Sequence, residues 1–236
     1  MPIDQMIQRA CETVAGYLEL GNETSEAAGG RFVRNRATPR RWDANHVARI
    51  TAESDDEIAA LFARADVEFV DYDYRRFDVD PLTPPPFVAR LALDGFAQTQ
   101  TVQLLLEGDL RATRKPIDIR PAEDDPAWND FARLEALDWQ ETTARQGQPF
   151  ERDLLGEFTL SKRAKMPDVR YFLAYADGRA VAYFSSWPGT NGVGMVEDLF
   201  TQREYRHRGI ATALIAHCVA EARARGAGPV IIGADP

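Results

Sequence analysis

The stretch Val196-Glu197-Asp198-Leu199-Phe200-Thr201-Gln202-Arg203-Glu204-Tyr205-Arg206-His207-Arg208-Gly209-Ile210-Ala211-Thr212 holds the residues best placed to do chemistry. An apolar run enters a short basic loop, and the loop opens directly into a helical pattern. Ile210, Leu214 and Cys218 fall on one line of that helix, with Ile215, Val219 and Ala222 beside them. The first turn of a helix leaves backbone N–H groups unpaired and carries the positive end of the helix dipole, a setting that suits phosphate. Gly209 lets a phosphate approach the backbone closely, and Ala211 is small for the same reason. Arg206 and Arg208 add charge, and Thr212 adds a hydroxyl donor. The two arginines also fit a solvated basic turn that merely begins a helix.

The elements around this stretch are legible from periodicity and turn chemistry. Tyr171-Phe172-Leu173-Ala174-Tyr175 and Ala180-Val181-Ala182-Tyr183-Phe184 flank Asp177-Gly178, which predicts a tight hairpin. A strand is expected over Gly194–Thr201, a helix from about Gly209 to Arg225, and a strand at Val230-Ile231-Ile232. Ahead of the hairpin, Ile117–Arg120 reads as a strand and Asp124-Asp125-Pro126 leads a helix carrying Trp128, Phe131, Leu134 and Leu137. A further helix is expected over 151–165. The polar segment Gly108–Lys115 is read as a domain boundary, separating residues 1–110 from 115–236.

The N-terminal part reads as a helix over 5–20 with Ile7, Ala10, Val14 and Tyr17 or Leu18 on its apolar face. Strands are expected between Arg31 and Ile50. A helix follows, opened by Ser54 and Glu57 as a capping box, then a strand over Val67–Tyr74. A proline-led helix ends at Asp94-Gly95-Phe96, and a strand over 98–106 follows.

Composition narrows the function classes. The chain has 236 residues, 44% of them apolar, and a formal net charge of -9, which disfavours nucleic acid and anionic membranes as partners. Cys11 and Cys218 form no disulfide framework, and His46, His207 and His217 have no metal-ligand spacing, so no metal is expected. Cys218 is expected in a helix core and His217 at its edge. His207 is expected to contribute its backbone, and Tyr183, Phe184 and Trp187 to be core or cleft wall. No leader or membrane span is apparent, so a soluble cytoplasmic protein is expected. A nucleotide site is disfavoured, because neither GxxxxGK[ST] nor GxGxxG after a strand occurs.

Arg206-His207-Arg208-Gly209-Ile210-Ala211 resembles motif A of the GNAT superfamily of N-acetyltransferases, Gln/Arg-x-x-Gly-x-Gly/Ala. The resemblance covers roughly residues 117–236 in the family order of strand, two helices, hairpin, strand, loop, helix and strand. It implies an α/β fold with a mixed, mostly antiparallel splayed sheet flanked by helices. It also implies acetyl-CoA as co-substrate. Backbone groups of Leu199, Phe200 and Thr201 would pair with the pantetheine arm, and the amides of His207 to Thr212 would hold the pyrophosphate. Family members often use a carboxylate on this strand to take a proton from the substrate ammonium, which places Glu197 or Asp198 in that role. Which of the two faces the cleft depends on register, with Glu197 slightly favoured. The implied activity is acetyl transfer to a primary amine of a small molecule or peptide. The alternative is a non-catalytic acyl-CoA-binding or regulatory module. Acceptor contacts are expected from Trp128–Gln148 and Trp187–Asn191.

The family fold normally continues beyond the last strand with a tyrosine-bearing helix and two strands, and this chain stops at Pro236. Residues 31–106 resemble a degenerate half of a second, related domain, smaller and α/β. Its helix start is acidic, Thr51-Ala52-Glu53-Ser54-Asp55-Asp56, so no CoA site is expected there, and Leu91 stands near the place of the family's tyrosine. Two arrangements remain open: a tandem chain with an open sheet edge, for which a homodimer or strand exchange is one outcome, or completion of the sheet from the N-terminal side.

Overall fold

The computed structural model describes residues 2–106, 108–110 and 116–234. The chain divides into two compact units, residues 1–101 and 102–235.

In the first unit, helix α1 (Ile3–Glu19) precedes strands β1 (Glu23–Ala27), β2 (Gly30–Arg34) and β3 (His46–Ala48), which form an antiparallel sheet in that order. Helices α2 (Asp55–Glu68) and α3 (Pro85–Leu93) follow. The core gathers Phe32, Val47, Ile58, Leu61, Phe69 and Phe87. The face of α1 is rotated from the expected one: Met6, Thr13 and Tyr17 are buried, and Ile7 is exposed.

The strand expected over Val67–Tyr74 is not there. Val67 and Glu68 complete α2, and turns follow. The helix prevails because Ile58, Leu61, Ala65 and Phe69 hold one helical face against the core, while Val67 and Val70 are left exposed.

In the second unit a six-stranded sheet is built from β4 (Val102–Leu106), β5 (Asp118–Pro121), β6 (Arg170–Ala176), β7 (Arg179–Trp187), β8 (Gly194–Thr201) and β9 (Val230–Ala234). Its order is β4-β9-β8-β7-β6-β5, antiparallel throughout except for β8 beside β9. The compact units therefore part at Thr101/Val102 and not at the polar Gly108–Lys115 segment, of which 111–115 lie outside the described residues. β4 goes with the second unit because all five of its residues pair with β9. Of the two arrangements left open by sequence, the sheet is completed from the N-terminal side, and the edge of β9 is covered.

Helices lie on both faces of the sheet, so β6 and β7 are buried on both sides and read as continuous apolar runs. On one face α4 (Asp125–Gln146), capped by the Asp124 side chain, packs Phe131 against Tyr171 and Tyr183. On the other face α6 (Ile210–Ala224) packs Leu214, Cys218 and Ala222 into a cluster with Phe172 and Phe184. Between α4 and β6 lie a 3-10 turn (Arg152–Leu154) and α5 (Leu155–Arg163). The hairpin turns at Asp177 and Gly178, with φ of 51° and 74°, the two positive values that a type I′ turn needs.

Two features set β8 apart from its neighbours. Its parallel pairing with β9 is confined to Gly194↔Val230 and Met195↔Ile231, so the two strands part beyond that point. Opposite β7 the register runs Ser185↔Glu197 and then Tyr183↔Phe200, a bulge that places Asp198 at φ 67°. Gly194 anchors the start of the strand, because a Cβ there would lie 2.8 Å from that of Ala227.

Candidate active site

A cleft of about 830 Å³ lies between the end of β8, the start of α6 and the C-terminal part of α4, a volume in the range of small-molecule sites. Its walls are Leu199, Phe200 and Thr201 at the end of β8, the loop residues Arg203, Tyr205, Arg206 and His207, and Gly209, Ile210, Ala211 and Thr212 at the start of α6. Asp138, Glu141, Thr142 and Arg145 of α4 face them. Every cofactor-binding residue expected from sequence lines this cleft except Arg208, whose guanidinium lies 5.0 Å from the Tyr205 ring.

The loop is shaped for backbone donors. His207 has φ 60° and Gly209 φ 83°, and Gly209 is the residue before the helix. A Cβ on Gly209 would meet no protein atom within 4 Å, so only the backbone conformation demands glycine there. No side chain caps α6. The contrast with α2 is direct: Ser54 accepts from the Glu57 N–H and the Glu57 carboxylate accepts from the Ser54 N–H, closing that helix start with its own groups.

Arg206 is engaged otherwise than expected. Its Nε–H donates to the Thr201 carbonyl at 2.8 Å, and its Nη2 donates to Glu141 Oε2 at 2.5 Å. It thus ties the loop to β8 and to α4, and it occupies one of the backbone acceptors expected to serve pantetheine. Thr201 Oγ1 is buried with no hydrogen-bond partner.

The two expected carboxylates, Glu197 and Asp198, are not among the residues that line this cleft; they precede its Leu199 on β8 and sit in different settings. Glu197 reaches across the parting strands, and its Oε2 accepts the Gly233 N–H of β9 at 3.2 Å. Burial, reinforced by the neighbouring Asp198 charge, pushes its carboxyl up to about 7. Asp198 instead forms an ion pair with the Lys162 ammonium of α5. The bulge explains why alternation along β8 could not separate the two roles, since it breaks the two-residue repeat at that point.

Sequence reasoning missed the partners of these carboxylates. Lys162 is buried and also lies 3.8 Å from Glu135 of α4, which accepts from Thr159 Oγ1 at 2.7 Å. Tyr183 donates its hydroxyl proton to Asp138 at 2.8 Å. Burial raises both groups: the phenol goes well above its usual range and the Asp138 carboxyl also rises. A signal for this acidic wall was present in the sequence, because Glu135, Asp138 and Glu141 recur every three residues and share one helix face. Of the aromatic residues expected near the acceptor, Trp128 and Trp187 are each 3% exposed and belong to the core. Among the described residues no group of acidic, histidine and cysteine side chains is arranged to hold a metal ion.

The segment 128–235, from α4 through β9, matches the family model "Acetyltransferase (GNAT) family". Residues 128–235 form a GNAT-family domain. The fold of the whole chain is similar to a GCN5-related N-acetyltransferase from Kribbella flavida, 17% identical, with a TM-score of 0.67 over 98% of this chain and 84% of that one. It is also similar to a functionally unknown conserved protein from Staphylococcus epidermidis, 13% identical, with a TM-score of 0.60 over 91% of this chain and 84% of that one. No curated protein matches the chain by sequence. The mixed, mostly antiparallel sheet flanked by helices agrees with the fold that motif A implies. No helix among the described residues is long and apolar enough to cross a membrane.

Proposed function

We propose that the GNAT domain transfers an acetyl group from acetyl-CoA to a primary amine of a small molecule or peptide. The observation that carries this reading is the start of α6: an uncapped helix N-terminus behind Gly209, facing the cleft and following a loop with two left-handed residues. Such a terminus presents N–H groups and a positive dipole end to a phosphate. The N-terminal unit, read as a degenerate relative, has its comparable helix start closed by Ser54 and Glu57, which supports a single cofactor site per chain.

Acetyl-CoA would supply the acyl thioester. Unpaired amides of the loop and first turn of α6 would hold its pyrophosphate, and the free edge of β8 at Leu199 and Phe200 would take the pantetheine. Glu197 would accept a proton from the substrate ammonium, whose nitrogen lone pair then forms the C–N bond as the C–S bond breaks. A carboxyl near neutrality suits this, being both ionised and basic at working pH.

Calorimetric titration with acetyl-CoA, against ATP and NAD as controls, tests the reading. Binding by acetyl-CoA alone, lost in the Arg206→Ala/Gly209→Asp variant, is expected. Glu197→Gln should then bind acetyl-CoA and release no thiol with any accepted amine. No binding by the wild-type chain would overturn the proposal, and binding without turnover across an amine panel would leave the non-catalytic acyl-CoA module.

A further inference from the structure

Three elements converge on one ammonium. Lys162, in the last turn of α5, is 7% exposed, pairs with Asp198 of β8, and lies 3.8 Å from Glu135 Oε1 of α4. Thr159, three residues earlier in α5, donates to the other oxygen of Glu135 at 2.7 Å and fixes that carboxylate in turn. Asp198 is the β8 residue at φ 67° in the bulge, a conformation that a side-chain-bearing residue keeps only when its surroundings hold it.

The bulge separates the β8 residues paired with β7 through Glu197 from those that line the cleft, Leu199 to Thr201. Whatever fixes Asp198 therefore fixes how that backbone is presented. The Asp198 carboxylate is thus engaged by an ammonium that also lies 3.8 Å from a second carboxylate, Glu135. Glu197 is held differently. Its Oε2 accepts the N–H of Gly233 at 3.2 Å, so its fixed partner is a neutral backbone group and not an ammonium.

We propose that Lys162 is a positioning residue that holds Asp198 in the left-handed bulge of β8 and out of proton transfer, leaving Glu197 as the base. This rests on the acetyltransferase reading. The charged and titratable groups around the pair come from every neighbouring element: Lys162 from α5, Glu135 and Asp138 from α4, Tyr183 from β7, and the Gly233 N–H from β9. Asp198 raises the Glu197 carboxyl and Lys162 lowers it. Removing either therefore has opposite consequences.

The experiment is carboxyl-carbon NMR titration of the full chain, labelled at Glu and Asp, together with calorimetric acetyl-CoA binding. The variants are Lys162→Met, Lys162→Arg and Asp198→Asn. Expected is a Glu197 midpoint that rises in Lys162→Met and falls in Asp198→Asn, each by about half a pH unit or more. Lys162→Arg keeps the cation and should remain near wild type. Acetyl-CoA affinity should fall roughly tenfold in Lys162→Met, as the bulge loses its tether, and return to within about threefold in Lys162→Arg. Midpoints that do not move, or that move in the same direction, would overturn the proposal, as would unchanged affinity in Lys162→Met. Should Lys162→Met fail to fold, the near-isosteric Asp198→Asn and the charge-keeping Lys162→Arg still decide it. Failure of the wild-type chain to bind acetyl-CoA sinks the acetyltransferase reading instead, while the carboxyl titrations report on the Lys162–Asp198 pair independently.

Discussion

Glu197 reaches about 7 because burial and the Asp198 charge oppose its ionisation more strongly than the Gly233 N–H and Lys162 favour it. The consequence for stability has a definite sign. A carboxyl that binds its proton more tightly when folded stabilises the fold fully below its ordinary value near 4.5, and this is lost as pH rises through 7. Glu197→Gln removes the titration. Thermal melts should show the variant gaining on wild type by a few °C between pH 5 and pH 8, and a gap that stays constant would contradict the burial argument. With Glu197 as the proposed base, kcat/KM for an amine is expected to fall on acidification through about pH 7. Glu197 and Asp198 are candidates in the sequence through the motif beside them. Their different settings are not legible there, because the Lys162 that pairs with Asp198 is 36 residues away in sequence and no local pattern marks the bulge.

The loop and helix α6 work as one element, and their substitutions should separate backbone from charge effects. Gly209→Ala puts a methyl into open space, yet forces an L-residue to φ 83°, which costs about 1–2 kcal/mol. Chemical denaturation should register that loss with acetyl-CoA binding only modestly weaker, whereas Gly209→Asp should abolish binding by setting a carboxylate against phosphate. Gly194→Ala tests packing instead. Its methyl would overlap Ala227, and about 1–3 kcal/mol of stability should be lost without any change of charge in the cleft. Strand β8, helix α6 and the β6–β7 hairpin lie where periodicity and turn residues put them, since each is specified by its own residues. The alternation over Val67–Tyr74 misleads because it is overridden by the tertiary face of α2, next to which Phe69 is buried although Val67 and Val70 are not.

At the scale of the molecule, the second unit borrows its sixth strand from sequence that precedes its own first helix by about twenty residues. β4 carries exposed Val102, Leu104 and Leu105, and composition alone gave no reason to assign it to a sheet whose other strands begin beyond a polar segment. Its worth is testable by comparing fragments that begin at Val102 and at Pro116. The shorter fragment leaves the β9 edge with unpaired backbone groups, and light scattering should find it self-associated where the longer one is not. Equal behaviour of the two would mean that β4 contributes little to closing the sheet.

The pairing of β4 with β9 also has a consequence in time. More than 120 residues separate Leu106 from Val230, so during synthesis β4 emerges long before the strand it will join exists. At roughly 5–20 residues per second, an apolar strand with a free backbone edge waits about 6–25 s at the ribosome for its partner. The last strand made is thus flanked by the sheet's earliest strand on one side and by β8 on the other. The β4–β9 pairing cannot form before Val230–Ala234 has been made, and chaperone occupancy of the nascent chain should peak between those two points.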